Sequence, residues 1–175
     1  MHRLSVDEFK AASKLPLIVV LDNVRSLHNV GSVLRSCDAF RVEAVYLCGI
    51  TATPPSAEIH KTALGAEDSV TWKYFAQTTD AINELHAKGT KVFAVEQVAG
   101  STMLQNLDTE VGTCYAVVLG NEVKGVQQTV VDLCDGCLEI PQFGTKHSLN
   151  VSVAAGIVVW EFAKKIGKGE EVERR

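Results

Sequence analysis

The 175-residue chain is 46% hydrophobic and 22% charged, a balance that excludes disordered and collagen-like classes and is long enough to bury a sizeable core as one domain, residues 1–175, without disulfides or a structural metal. Lys plus Arg is 17 against 21 for Asp plus Glu, a formal net charge of −4, so no global field draws the chain onto nucleic acid, and any RNA contact must come from a local patch. No apolar run reaches the length of a bilayer span, and the opening "MHRLSVDEFK" lacks the apolar core of a signal peptide, which makes a cytoplasmic protein without a membrane partner the expectation.

In chain order, Ser5 followed by Glu8 has capping-box spacing and predicts a short helix ahead of the first strand. Short β-branched apolar runs then recur at 17–22 (LIVVLD), 44–49 (AVYLCG), 70–75 (VTWKYF), 91–96 (KVFAVE), 115–120 (YAVVLG) and 137–141 (CLEIP). Such runs fit strands buried on both faces. Helical patterns lie between them at 29–40, 57–64, 78–88 and 126–134. The alternation predicts an α/β fold with a mainly parallel sheet flanked by helices. The last helix, about 150–166, carries Val151, Ala154, Ala155, Val158, Val159, Phe162 and Ile166 at core spacing, with Val153, Ile157 and Trp160 making its other side apolar too. A helix apolar nearly all round needs cover nearly all round, and an outer layer covers one side, so a partner subunit is expected there. The tail "KKIGKGEEVERR" reads as a frayed, solvated end. Five cysteines, Cys37, Cys48, Cys114, Cys134 and Cys137, read as inert free thiols. The "CDGC" pair among them lies in a turn leading to a strand and has no second pair of ligands for zinc.

Three segments carry candidate chemistry. In "LDNVRSLHNVGSVLRSCDAF" (21–40) a strand ends and a helix starts near Asn29. Ligands gather at such carboxyl ends of strands, and helix starts offer N–H groups to anions. Gly31 and Arg35 are one turn apart, leaving room for a phosphate above the Arg35 stem, while the plainer reading makes Asn29 an N-cap and Arg35 an exposed helix residue. "VVLGNEVKGV" (117–126) runs a buried strand into a glycine turn with Glu122 and Lys124. It is not a Walker loop, and GxGxxG is absent, which disfavours a Rossmann dinucleotide site; Gly120 and Gly125 fit backbone held close to something flat or bulky. "IPQFGTKHSLNVSVA" (140–154) places Thr145, Lys146, His147, Ser148 and Asn150 directly against the most apolar helix, where Ser148 and Asn150 have capping as their ordinary role. The candidate cationic patch comprises Arg25, His28, Arg35 and Arg41, with Lys124 and Lys146, and more distantly Lys61 and Lys73.

Taken together, Asn29, Gly31 and Arg35, then Gly120, Glu122 and Gly125, then "IP" followed by "SLNVS" in the same chain order, resemble the three motifs of the SpoU (TrmH) family of the SPOUT superfamily over roughly residues 17–165. The resemblance implies an S-adenosylmethionine-dependent RNA methyltransferase acting on a ribose 2′-hydroxyl, homodimeric through the C-terminal helix, with a deep C-terminal trefoil knot and no metal. Carried over, the cofactor contacts fall on Val95, Glu96, Leu119, Gly120, Ile140, Leu149 and Asn150. The catalytic role falls on Arg35, with Asn29, Glu122, Ser148 and Asn150 around it. The first motif is closest to enzymes acting on guanosine in the tRNA D-loop; the tRNA wobble ribose and ribosomal RNA are the alternatives, and a non-catalytic RNA-binding module of the same fold is the rival from another class. With neither a separate RNA-binding domain nor long basic extensions in view, recognition is expected to rest on the catalytic domain and its dimer mate.

Overall fold

A computed structural model of the chain describes residues 3–167; the end of the charged tail expected to fray, 168–175, lies outside them. Seven strands form one all-parallel sheet in the order β3-β2-β1-β6-β4-β7-β5. The strands are β1 (Leu15–Asp22), β2 (Val42–Cys48), β3 (Trp72–Phe75), β4 (Lys91–Val95), β5 (Thr102–Met103), β6 (Tyr115–Leu119) and β7 (Gly136–Glu139). Seven α-helices among the described residues precede, connect and follow them: α1 (Val6–Ala11), α2 (Leu27–Ala39), α3 (Ala57–Ala63), α4 (Ala66–Ser69), α5 (Thr78–Ala87), α6 (Gln128–Leu133) and α7 (Val151–Ile166). The Ser5 and Glu8 capping box starts α1 as the spacing predicts.

The period-two alternation of a strand divides the core. Leu17, Val19 and Leu21 of β1 face one cluster, with Val30, Val33 and Leu34 of α2 and Ala155, Val158, Val159 and Phe162 of α7. Ile18 and Val20 face the other, with Ala81, Ile82 and Leu85 of α5 and Val130 of α6. Central strands β1 and β6 are therefore buried on both faces, each fully covered Val, Leu or Ile contributing about 1.5–3 kcal/mol of transfer free energy. The apolar run at 70–75 behaves differently: β3 is an edge strand with Lys73 and Tyr74 exposed.

Two helix details depart from the sequence reading. The N-cap of α2 is Ser26, whose Oγ accepts from the Asn29 N–H at 3.2 Å, so Asn29 sits inside the first turn. And the bare side of Gly31 faces α3: a Cβ there would lie 2.1 Å from Thr62 Oγ1 and 2.3 Å from the Ile59 carbonyl. Glycine at 31 lets two helices touch; the space expected for a phosphate is occupied by α3.

Helix α7 buries the side expected of it, while Val153, Ile157 and Trp160 are exposed along the other. All five cysteines are free. Burial pushes the Cys48 and Cys134 thiols up to about 12 and Cys114 to about 11, which keeps them protonated and unreactive at neutral pH.

Candidate active site

The site begins where β1 ends. Asp22 has no solvent exposure, yet it closes an apolar strand. Its Oδ1 accepts from Thr78 Oγ1 at 2.6 Å and from Gln127 Nε2 at 2.7 Å, and its Oδ2 from the Gln127 N–H at 2.8 Å. One residue earlier, the Val126 N–H donates to Glu96 Oε1 at 2.6 Å. Two consecutive amides of the turn after β6 are thus each held by a carboxylate, one from the end of β1 and one from just past β4. Asn121 adds a bond from Nδ2 to the Asn23 carbonyl, 2.8 Å.

Within that turn the backbone doubles back on itself. Asn121 and Gly125 exchange backbone hydrogen bonds of 3.0 and 2.9 Å. A Cβ on Gly120 would fall 2.1 Å from the Gly125 carbonyl carbon and 2.2 Å from the Val126 nitrogen. Gly125 has φ +70°, a conformation glycine adopts without steric cost. The bare side of Gly120 lies against its own turn and that of Gly125 against the Glu96 carboxylate, and both glycines also line the cavity in front of the turn.

Glu122 projects from this turn to the start of α2. Its Oε2 accepts from the Arg25 N–H and its Oε1 from the Ser26 N–H, both at 2.9 Å, and Oε1 also from Asn29 Nδ2 at 3.1 Å. Burial alone would push the Glu122 carboxyl up, but those two amides and the Asn29 side chain hold it below the usual carboxylate value. The anion at this helix start is the protein's own carboxylate. Asn29 Oδ1 in turn accepts from Asn150 Nδ2 at 3.2 Å, while Asn150 Oδ1 caps α7 by accepting from the Ser152 and Val153 amides. One hydrogen-bond chain therefore joins the three segments singled out in the sequence.

In front of this frame opens a cavity of about 350 Å³ at the carboxyl ends of β4, β6 and β7, the place where open α/β sheets collect ligands. Val95, Glu96, Leu119, Gly120, Ile140 and Leu149 line it, as do Glu122, Ser148 and Lys124. Asn150 and Asn29 stand behind the lining, linked to it through Glu122. Arg35 does not line it. It is exposed on α2 and its side chain makes no hydrogen bond or ion pair among the described residues, about 9 Å along the axis from Asn29. Arg25 and His28 lie exposed at the start of the same helix, His28 Nε2 being 3.2 Å from Glu58 Oε2. Arg41 is separated from them: it follows the 13-residue α2, about 20 Å away, and its carbonyl accepts from the first amide of β1. Lys146 is exposed on the loop 141–149.

Sequence reasoning missed Asp22, Gln127 and Gln142, the last a cavity-lining residue, and gave no role to His147 of the third segment, which also lines the cavity. An aspartate closing an otherwise apolar run was the one available signal for the first. No group of three or more His, Cys, Asp or Glu side chains able to hold a metal occurs among the described residues.

Fold and site together define an open parallel α/β domain whose cavity lies at the carboxyl ends of interior strands and is lined by three distant chain segments. The sequence model of the SpoU rRNA Methylase family matches residues 16–160, and the chain belongs to that family. It is 31% identical over 165 residues to the 23S rRNA (guanosine-2′-O-)-methyltransferase RlmB of Vibrio cholerae, covering 94% of this chain and 66% of that protein. The TrmH/SpoU tRNA modifying enzyme of A. aeolicus superposes with a TM-score of 0.80 at 26% identity, covering 91% of this chain and 81% of that one. The AdoMet-bound rRNA methyltransferase of Sinorhizobium meliloti gives 0.79 at 29% identity over 87% of this chain and 60% of that one. The chain thus spans just under two thirds of the length of the V. cholerae relative.

Proposed function

We propose that the chain acts as a single catalytic domain, an S-adenosylmethionine-dependent methyltransferase that modifies a ribose 2′-hydroxyl in structured RNA. The observation that carries this reading is the cavity, whose composition suits that donor. Val95, Leu119, Leu138, Ile140, Leu149 and Ala154 supply apolar walls for a purine, and Lys124 is the one Lys or Arg among the described lining residues, which fits a nucleoside without phosphates. Glu96 and Glu122 give the cavity a negative side, complementary to a sulfonium and an amino acid ammonium. The volume falls within the range of small-molecule sites. Val95, Glu96, Leu119, Gly120, Ile140 and Leu149 would hold the donor, with Asn150, next to Leu149 in the chain, bonded to Asn29 and the α7 amides; bound there, the donor supplies an activated methyl group.

The remaining work falls to side chains. Methyl transfer to oxygen is in-line, so alignment of the hydroxyl and relief of its proton supply most of the acceleration. Arg35 is assigned to the RNA: its guanidinium grips a phosphate near the target ribose and steadies the developing alkoxide, while the proton leaves to that phosphate or a water. A guanidinium, with a pKa above about 12, is a poor general base. Ser148 and Glu122, both on the cavity wall, orient the ribose, and Arg25, His28, Lys124 and Lys146 contribute phosphate contacts. Arg41, at the far end of α2, would meet only an extended RNA. The cavity edge and the exposed stripe of Val153, Ile157 and Trp160 fit a homodimer through α7, and the re-entry of the chain after β7 beside the 120–126 turn fits the family's trefoil knot. A cytoplasmic location is compatible with an RNA substrate and with the described residues, in which no helix is long and apolar enough to cross a membrane.

For the RNA itself, the first motif favours guanosine in the tRNA D-loop. A ribosomal RNA target is the second reading, favoured by the name of the V. cholerae relative. The test is incubation with labelled S-adenosylmethionine and total RNA from a methylation-deficient strain, followed by mapping of the labelled ribose. Arg35→Ala is expected to lower turnover at least about a hundredfold with cofactor affinity by calorimetry unchanged, and Arg35→Lys to rescue poorly because the two-pronged contact is lost. Heat of RNA binding with none for S-adenosylmethionine would instead identify a binding module.

A further inference from the structure

Between Gln142 and His147, both on the cavity wall, the chain puts Phe143 almost wholly into solvent, at 96% exposure. Across the same opening Val123, also a lining residue, is 82% exposed. Large apolar side chains elsewhere in the described protomer that stand this far out include only Val111, which does not border the cavity. Phe143 is flanked on its loop by exposed Lys146 and His147, and Lys124 stands beside Val123. An exposed ring at the mouth of a ligand cavity, with Lys146 three residues along the same loop and Lys124 on the cavity lining, matches the chemistry of an unpaired nucleotide, which offers a flat π-face and a phosphate together.

We infer that Phe143 is a stacking platform for an unpaired nucleobase, the base of the target nucleotide or its immediate neighbour, with Lys146 taking the adjoining phosphate and Val123 closing the opposite side. This rests on the methyltransferase reading for the identity of the RNA but not for the stacking itself. A base splayed onto Phe143 brings its own ribose to the cavity mouth, where Ser148 and Glu122 lie. Stacking tolerates any base, so this subsite sets the requirement for an unpaired nucleotide and leaves base identity to other contacts.

The test compares Phe143→Ala, Phe143→Leu and Phe143→Tyr in the full chain. Binding of a fluorescein-labelled 12-nucleotide single-stranded RNA of mixed sequence is followed by anisotropy at several salt concentrations. Alanine and leucine should each weaken binding about ten- to a hundredfold and tyrosine about twofold or less, with the salt slope unchanged, whereas Lys146→Ala should reduce that slope by about one. In methyl transfer, the alanine variant should raise KM for RNA by the same factor while kcat and cofactor affinity stay within about twofold. Leucine matching tyrosine would overturn the stacking role, leaving a merely apolar contact. A shift of the alanine variant to a smaller sedimenting species would overturn it in favour of a contact with a second copy of the chain, and unchanged RNA affinity in all variants would also overturn it. Failure of the parent chain to methylate any RNA would sink the methyltransferase reading while the anisotropy series still decides on stacking.

Discussion

Two walls of one cavity are built in opposite ways. The turn from Gly120 to Gln127 is bonded on every side: to Glu96, to Asp22, to the Asn23 carbonyl and, through Glu122, to the start of α2. The loop 141–149 faces it, lining the cavity with Gln142, His147, Ser148 and Leu149. Yet among the described residues this loop makes no hydrogen bond to the rest of the protomer, and everything from Phe143 to Asn150 is exposed. The first wall is organised before any ligand arrives. On the proposed reading the second would gain its order from outside, from donor, RNA or a second copy, at the price of binding energy. On the same reading, preorganisation on the wall that would meet the donor and openness on the wall that would admit RNA is a sensible division for a site with two unlike ligands.

The sharpest way to break this comparison is to remove Asp22. Asp22→Ala leaves the Thr78 hydroxyl and two Gln127 donors without their acceptor in a fully buried place. The expected loss is about 3 kcal/mol, a fall in melting temperature of roughly 6–12 °C for a domain of this size, read by thermal and urea unfolding. A loss below about 1 kcal/mol would show that the turn is not held from this side.

Next in size is Gly120→Ala. The new Cβ meets backbone atoms of Gly125 and Val126 near 2 Å, so the turn must shift as a unit; overpacking of this kind costs about 1–3 kcal/mol. Calorimetry with S-adenosylmethionine should show affinity reduced at least about tenfold while the fold survives. Retained affinity would mean that the donor does not use this wall.

Smaller again is Glu122→Gln, which removes an anion from the start of α2 at a cost of about 1 kcal/mol. The Glu122 carboxyl is held below its ordinary value of 4.5, so its contribution is fully present above that pH and fades as pH falls through the lower folded value. Parent and variant should therefore differ in stability at neutral pH and converge under acid. A constant gap down to the acid limit would mean the carboxylate charge plays no part.

How much of this was legible in the sequence differs between the walls. The apolar runs placed six of the seven strands, most plainly the central ones, which in a parallel sheet are buried on both faces and leave a continuous signal. The two-residue β5 leaves none. The three motifs were visible as residue types, and Glu122, Asn29 and Asn150 do meet. What could not be read was direction. Gly31 looked like room for a ligand and is room for α3, because spacing along one helix does not reveal which neighbour crosses it. Asn29 looked like a cap because asparagine usually is one, and Ser26 three residues earlier takes that place. Arg35 was grouped with the cavity by motif, yet it stands on solvent in the protomer, where only RNA or another subunit can give it a partner.

The smallest expected effect is on the open wall, and it bears most directly on the comparison. Ser148→Ala should change stability by less than about 0.5 kcal/mol, because Ser148 makes no hydrogen bond that unfolding would break. Backbone exchange adds the decisive contrast. In the free chain, amides 125–127, bonded to Asn121, Glu96 and Asp22, should exchange slowly, and those of 143–149 as fast as open loop amides do. S-adenosylmethionine at about a hundred times its Kd stabilises the liganded form by about 2.7 kcal/mol. If the donor orders the second wall, protection must appear selectively in 143–149 while 125–127 change little, since their bonds exist already. Protection of 143–149 in the free protein would place the ordering contact in a second copy of the chain, and dilution to the monomer would then remove it.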